Sequence, residues 1–435
     1  MTEASIEEKA PTREAAPAGA HPMTHYTLFI LCLIATFNYI DRQVLSVLLE
    51  QIKHELGASD TAMGVLNGLA FSIVYLLAGV PLARMADRKS RRNLLSVCVA
   101  IWSGATVLCG ATTSYAQLAL ARMGVAAGEA GANPCSQSMI ADLYPREKRG
   151  TPLAIWNAST SAGIAFGLFL GGWLAQSLGW RVVFFVVGLP GLILAALLFF
   201  TTREPVRSLG GGSAEPPPLG ESVKVLWRIK SYRAAILIVA LAGVVGNGFM
   251  AWAPTMLIRT FDMNVGEVGM WMGTAAITGM TLGHIVAGKL SDVYGKRDPR
   301  AYFAIAAGCL LTTIPCALAF TLAPTQPTSI IAFFAFKLVN GMFLVPMYIV
   351  VLSLVPSNMR GMAALSLTLA TSLLGAGIGP VVIGAVTDAL APSLGTNALR
   401  FAMSTLLVSL VVALGAVRMG MRHAQADFAE FAPDS

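Results

Sequence analysis

The chain has 435 residues, of which 55% are hydrophobic and 12% charged, with a mean hydropathy of +0.68 and a net charge of +7. A soluble protein cannot bury that much apolar surface, and the charged share is about half that of soluble domains, so the composition indicates a polytopic membrane protein. It excludes a cytosolic enzyme, a nucleic-acid binder and a secreted disulfide module; the basic residues sit in short loops between apolar runs, where membrane topology accounts for them.

Residues 1–24 are rich in Ala, Pro and Glu and carry no apolar stretch, so a disordered cytoplasmic tail is expected there. Apolar segments follow near 26–50, 61–83, 93–113, 116–142, 151–178 and 181–201. After a Gly- and Pro-containing stretch at 202–232 come six more, near 233–259, 266–290, 301–322, 328–355, 360–389 and 397–418. Each is long enough to cross about 30 Å of hydrocarbon as a helix. The expected architecture is therefore an all-α membrane protein of twelve transmembrane helices. It divides into a six-helix half at 25–201, a cytoplasmic linker at 202–232, a second six-helix half at 233–418 and a cytoplasmic tail at 419–435. The linker's end, ESVKVLWRIKSYR, mixes basic and apolar residues and suits the membrane surface.

With the amino terminus in the cytoplasm, twenty-three of the 30 Lys and Arg residues fall in cytoplasmic loops and tails. Only Lys53, Arg181, Arg259 and Arg400 fall outside. That asymmetry predicts both termini in the cytoplasm. Compact loops point to a bacterial inner membrane. Three basic residues remain inside helices: Arg42, Arg122 and Lys337.

The six cysteines lie inside apolar runs with no metal-ligand spacing, so neither a metal nor a cofactor is expected. Gly283 to Lys289 fits G-x-x-x-x-G-K, but Leu290 follows where Ser or Thr is required, and the segment reads as a membrane helix. No H-E-x-x-H or G-x-S-x-G occurs, and an enzyme is not expected.

The loop Ala83-Arg84-Met85-Ala86-Asp87-Arg88-Lys89-Ser90-Arg91-Arg92 aligns without gaps with Gly288-Lys289-Leu290-Ser291-Asp292-Val293-Tyr294-Gly295-Lys296-Arg297. Pro145, Arg149 and Gly150 match Pro356, Arg360 and Gly361 in the same way. Two matched pairs in one orientation imply two parallel homologous halves. The second loop fits the G-x-L-a-D-r-x-G-r-r signature of the major facilitator superfamily, and the first departs from it at Ala83 and Ser90. The resemblance implies the major facilitator fold. It also implies a conformational latch built from Asp87, Arg88, Arg91, Asp292, Arg149 and Arg360. A cluster that only sets topology accounts for the same residues.

A narrower resemblance is to the Spinster family of lipid transporters. It rests on FNYIDRQVLSVLL in helix 1, on Arg122 to Ala130 leading to Ala141-Asp142-Leu143-Tyr144 in helix 4, and on Trp252-Ala253-Pro254 in helix 7. Asn133 before Pro134 departs from the usual Ile-Ala-Pro. The resemblance implies an amphipathic anionic lipid as substrate, such as a lysophospholipid or a sphingosine-1-phosphate-like molecule, and the expected protein is a secondary active, proton-coupled carrier working by alternating access, a monomer in contact with membrane lipids. The alternative is a proton-coupled transporter of a small organic anion, or a drug exporter.

Charges at membrane depth need partners or water. Asp41 lies about 13 Å below the outer end of helix 1, and Arg122 about 10 Å below that of helix 4. Helices 1 and 4 face the central cavity in the superfamily, so Asp41 and Arg122 are the expected ion pair. Glu129, one heptad further along, is the first candidate proton carrier and Asp41 the second. A static network holding helices 1 and 4 together accounts for the same charges. The substrate or cavity candidates are Arg42, Arg122 and Lys337 for an anionic group, Asn247 and Asn340, and Phe37, Trp156, Phe249, Trp252, Phe343 and Tyr348 for an apolar chain. Asp388 is expected at the interface.

Overall fold

The computed structural model describes residues 22–145, 148–206, 219–295, 297–356 and 359–431. The described chain is almost entirely helical. The first half runs α1 (Pro22–Leu56), α2 (Asp60–Asn67), α3 (Leu69–Arg88), α4 (Arg91–Gly110), α5 (Tyr115–Glu129), α6 (Ala132–Leu143), α7 (Gly150–Leu178) and α8 (Trp180–Thr201). A short α9 (Leu219–Arg228) precedes the second half: α10 (Lys230–Phe261), α11 (Val265–Leu290), α12 (Arg300–Leu322), α13 (Gln326–Met342), α14 (Leu344–Ser353), α15 (Arg360–Thr368), α16 (Gly379–Leu394), α17 (Ala398–Thr405) and α18 (Leu407–Phe431).

Polar caps start several helices. Ser59, Ser90, Ser114 and Asn264 accept from the backbone N–H of Ala62, Asn93, Gln117 and Glu267, and so satisfy first-turn donors of α2, α4, α5 and α11. The run expected at 116–142 breaks at Ala130–Gly131, and Pro134 sits in the first turn of α6, where its missing N–H is harmless. Before Gly379-Pro380 the helix widens into a π-helical segment, Leu369–Ile378, because Pro380 cannot donate back into the ladder.

Among the described residues, nine stretches are long and apolar enough to cross a membrane. Twelve were expected. The fourth is split by the break after Glu129, α11 is too rich in Gly and Thr, and the last two merge into one stretch, Leu365–Phe431. The final helix also runs past the expected end at 418, to Phe431. Gly420, Ala424 and Asp427 recur at helical spacing and are buried against the bundle, and Asp427 Oδ2 accepts from Ser231 N at 2.7 Å at the start of α10. Residues 207–218, which hold the Gly- and Pro-rich run, lie outside the described residues.

The halves meet along α7 and α11, α2 and α16, and α3 and the π-helical segment. Glycines set this approach. A Cβ on Gly68 would sit 2.7 Å from Gly377 O, and one on Gly273 would sit 2.8 Å from Ala165 O. The outer faces are apolar: Leu77 is 69% exposed and Phe200 79%. A lipid-facing surface has this inverted character.

Candidate functional site

A cavity of about 610 Å³ lies between the halves. From the first half it is lined by Tyr39, Arg42, Phe71 and Arg122, and from the second by Asn247, Met250, His284, Lys337, Asn340 and Tyr348.

Adjacent residues on α1 point about 100° apart, and this splits the buried charges into two pairs. Asp41 Oδ1 accepts from Arg122 Nη1 at 3.2 Å, and its Oδ2 accepts from Thr106 Oγ1 at 2.8 Å. Arg42 Nε donates to Glu129 Oε2 at 2.5 Å. Asp41, Arg122 and Glu129 are buried, while the Arg42 side chain is 22% exposed and reaches the cavity. Its guanidinium is boxed by the rings of Tyr39, Phe71 and Tyr75 at 5.5, 5.2 and 4.7 Å. Phe71 also faces Arg122 at 5.4 Å. Two buried polar atoms of this network, Glu129 Oε1 and Arg122 Nε, have no hydrogen-bond partner among the described residues. Such atoms are costly to bury.

Across the cavity, Lys337 is 6% exposed. Its Nζ lies 3.8 Å from Met250 Sδ, and no carboxylate of the described residues is within ion-pair distance. Asn340 Nδ2 is likewise buried without a partner among the described residues, and His284 shares the same wall. Asn247 lines the cavity but spends its Nδ2 on Gly243 O at 2.9 Å. Tyr348 also lines it.

Four residues expected in the cavity do not line it. Phe249 is fully buried within the second half, 4.9 Å from the ring of Phe336 and 6.1 Å from that of Phe320. Trp252 Nε1 donates to Pro380 O at 2.9 Å, which turns the indole into a strut between α10 and α16. Trp156 is buried outside the cavity wall, and Phe37 packs against the core. On an apolar helix these rings gain more from dry packing than from a watered cavity.

The expected latch residues collect at one end of the bundle. Arg91 is 2% exposed and pairs with Asp142 and with Glu204 Oε1 at 2.9 Å, within the first half. It also donates to Ser138 Oγ and Pro205 O, both at 3.0 Å. Arg149 Nε donates to Tyr144 O at 3.0 Å. Asp87, Arg88 and Asp292 are exposed, Asp292 in a π-helical turn at Ser291–Gly295. The Arg360 side chain lies outside the described residues.

The opposite end carries an inter-half cluster that sequence reasoning missed. Arg259 Nε donates to both oxygens of Glu50 at 2.9 Å, and Nη2 donates to Asp60 Oδ1 at 2.7 Å. Lys53 adds a 2.8 Å contact to Asp60. Asp388 accepts from Asp60 N at 3.0 Å and from Thr61 N at 2.7 Å. Arg259 counted only as one of four basic residues outside the membrane, and Asp388 only as interfacial. The available signal was the facing acids Glu50 and Asp60 beside so few cations. Phe71 and Tyr75, one turn apart on α3, were missed because ring pairs on membrane helices are common.

A boxed arginine, a buried lysine and embedded carboxylates around a cavity between two helical halves define a membrane transporter rather than an enzyme. The chain matches the family model for the Major Facilitator Superfamily over residues 31–380, and it belongs to that family. It is 33% identical to an MFS-type efflux pump of Mycolicibacterium smegmatis over 89% of this chain and 90% of that protein. It is 28% identical to a probable L-galactonate transporter of Escherichia coli over 69% of each. A bacterial homolog of the human lysosomal transporter Spinster, crystallised in an inward-facing and unoccupied conformation, superposes with a TM-score of 0.85 at 27% identity, covering 94% of this chain and 99% of that one.

Proposed function

We propose that this transporter is a proton-coupled carrier of an organic anion, with Arg42 and Lys337, two of the cations on the cavity wall, reading the substrate's negative group. The observation that carries this reading is Lys337, a buried cation facing the cavity with no carboxylate in reach among the described residues. A charge held this way at membrane depth is expensive unless a partner arrives, and an anionic substrate supplies one. Asn340 Nδ2, unpartnered beside it, adds a donor.

Glu129 and Asp41 are the proposed proton-handling groups. A proton on Glu129 removes the charge that holds Arg42 and frees the guanidinium to turn to the substrate. The two halves, 25–201 and 233–418, then rock around the cavity. The Arg259 cluster joins them at one end, and we assign that end to the outside and the Arg91 end to the cytoplasm, in line with the distribution of Lys and Arg.

A compact, polar anion is favoured over a long-chain lipid. Four of the six rings expected for a chain, Phe37, Trp156, Phe249 and Trp252, do not line the cavity; Phe343 and Tyr348 do, together with the polar Gln43, Ser46, Asn67, Asn157, Thr160 and Ser161. The galactonate-transporter relative supports the same substrate class. The second reading, a lysophospholipid, draws on the Spinster homolog and on an apolar stretch of wall at Val239, Met250, Met280 and Phe343. Flux through proteoliposomes holding the purified protein separates them. Gradient-stimulated uptake of a labelled sugar acid supports the first reading, and uptake of labelled lysophospholipid alone overturns it in favour of the second.

A further inference from the structure

We propose that the groove between α12 and α18 is a binding site for an anionic diacyl phospholipid of the surrounding bilayer. The groove holds about 550 Å³ and opens to the outside of the second half, away from the transport cavity. Its mouth carries three arginines, Arg300 from α12 and Arg418 and Arg422 from α18. Arg418 and Arg422 are one turn apart, so they share a face. The starts and ends of the two helices meet here, as the 3.5 Å approach of Gln425 Nε2 to Asp298 Oδ1 shows.

None of the three guanidinium groups has a carboxylate within ion-pair distance among the described residues. Asp298, the nearest acid in sequence, is engaged by the backbone N–H of Arg300 at 2.9 Å. Below the arginines the groove is floored by Ala307, Leu414, Val417 and Met421. The same outward faces continue as exposed apolar residues, Leu311 on α12 and Val408, Val411 and Val412 on α18. From Arg418 to Val408 is about 15 Å of helix, the reach of an acyl chain lying along it.

One end of this surface therefore suits a phosphodiester and the rest suits hydrocarbon. Guanidinium groups bind phosphate oxygens in pairs, and basic pockets between membrane helices take anionic head groups. Solvated arginines that merely orient the chain would not need a shared groove with an apolar floor.

The test is a native mass-spectrometry titration of the full chain in mild detergent with phosphatidylglycerol, phosphatidylcholine and inorganic phosphate. Phosphatidylglycerol should bind at least tenfold more tightly than phosphatidylcholine. The triple variant Arg300→Gln, Arg418→Gln, Arg422→Gln should erase that preference, as should Arg422→Gln in part. Filling the floor with Leu414→Trp should weaken both lipids. The control Arg203→Gln with Arg228→Gln, at other basic positions, should keep the preference. An unchanged preference in the triple variant, equal loss in the control, or displacement of the lipid by millimolar phosphate would each overturn the proposal.

Discussion

Arg42 Nε lies 2.5 Å from Glu129 Oε2, while the second oxygen of the same carboxylate is buried with no partner among the described residues. The pair is thus half-satisfied, and it joins a residue that touches the cavity to one sealed beneath it. If a proton on Glu129 breaks the pair, Glu129→Gln mimics the protonated state permanently. Uptake driven by an imposed pH gradient should fall at least tenfold, while substrate exchange at equal pH persists. Gradient-driven uptake at the parent rate would remove Glu129 from coupling.

Lys337→Gln should weaken substrate binding by ten- to a hundredfold, since a hydrogen bond to a charged group is worth about 1.5–3 kcal/mol. Folding should survive or improve, because the variant removes a buried charge that has no ion-pair partner among the described residues. Isothermal titration and thermal unfolding of the same sample read the two effects separately.

Arg259 bridges Glu50 and Asp60 across the halves. Arg259→Ala should leave both carboxylates facing each other and open that end. A cysteine placed at Asn67, on the cavity wall, should then react several-fold faster with a membrane-impermeant thiol reagent applied from the Glu50 side. Unchanged labelling would show that the glycine contacts of α2 with α16 and the π-helical segment close this end without the ion cluster.

Glu204 lies beyond the end of α8, outside the membrane-spanning segments. Burial pushes its carboxyl up, but the Arg92 N–H and Ser90 hydroxyl, both at 2.8 Å, and Arg91 Nε at 2.9 Å outweigh that and hold it below the usual carboxylate range. The stability it contributes is therefore present above the unfolded pKa of about 4.3 and is lost as pH falls through the lower folded value. Glu204→Gln should cost about 1 kcal/mol at neutral pH, and the gap in unfolding temperature should close in acid. A gap that widens in acid would contradict this sign.

The two-half helical architecture was legible because apolar length and basic-loop asymmetry report the solvent of each segment, which does not depend on tertiary detail. Asp41 and Arg122 could be placed together because depth along a helix is countable. Facing is not countable on a helix that is apolar all round, and so Phe249 and Trp252 were placed in a cavity that they do not line. Arg259 was hidden for a related reason: a cation at a helix end carries the same topological signal whether it meets water or two carboxylates. The last turns of α18 were readable after all, in the buried repeat of Gly420, Ala424 and Asp427.

In the proposed function, cavity cations select a negative charge on the substrate. The most direct measurement compares binding of a sugar acid with that of its uncharged amide, in the parent protein and in Lys337→Gln. The parent should prefer the acid by tenfold or more, and the variant should lose most of that preference. Equal affinity of acid and amide for the parent, or an undiminished preference in the variant, would contradict it.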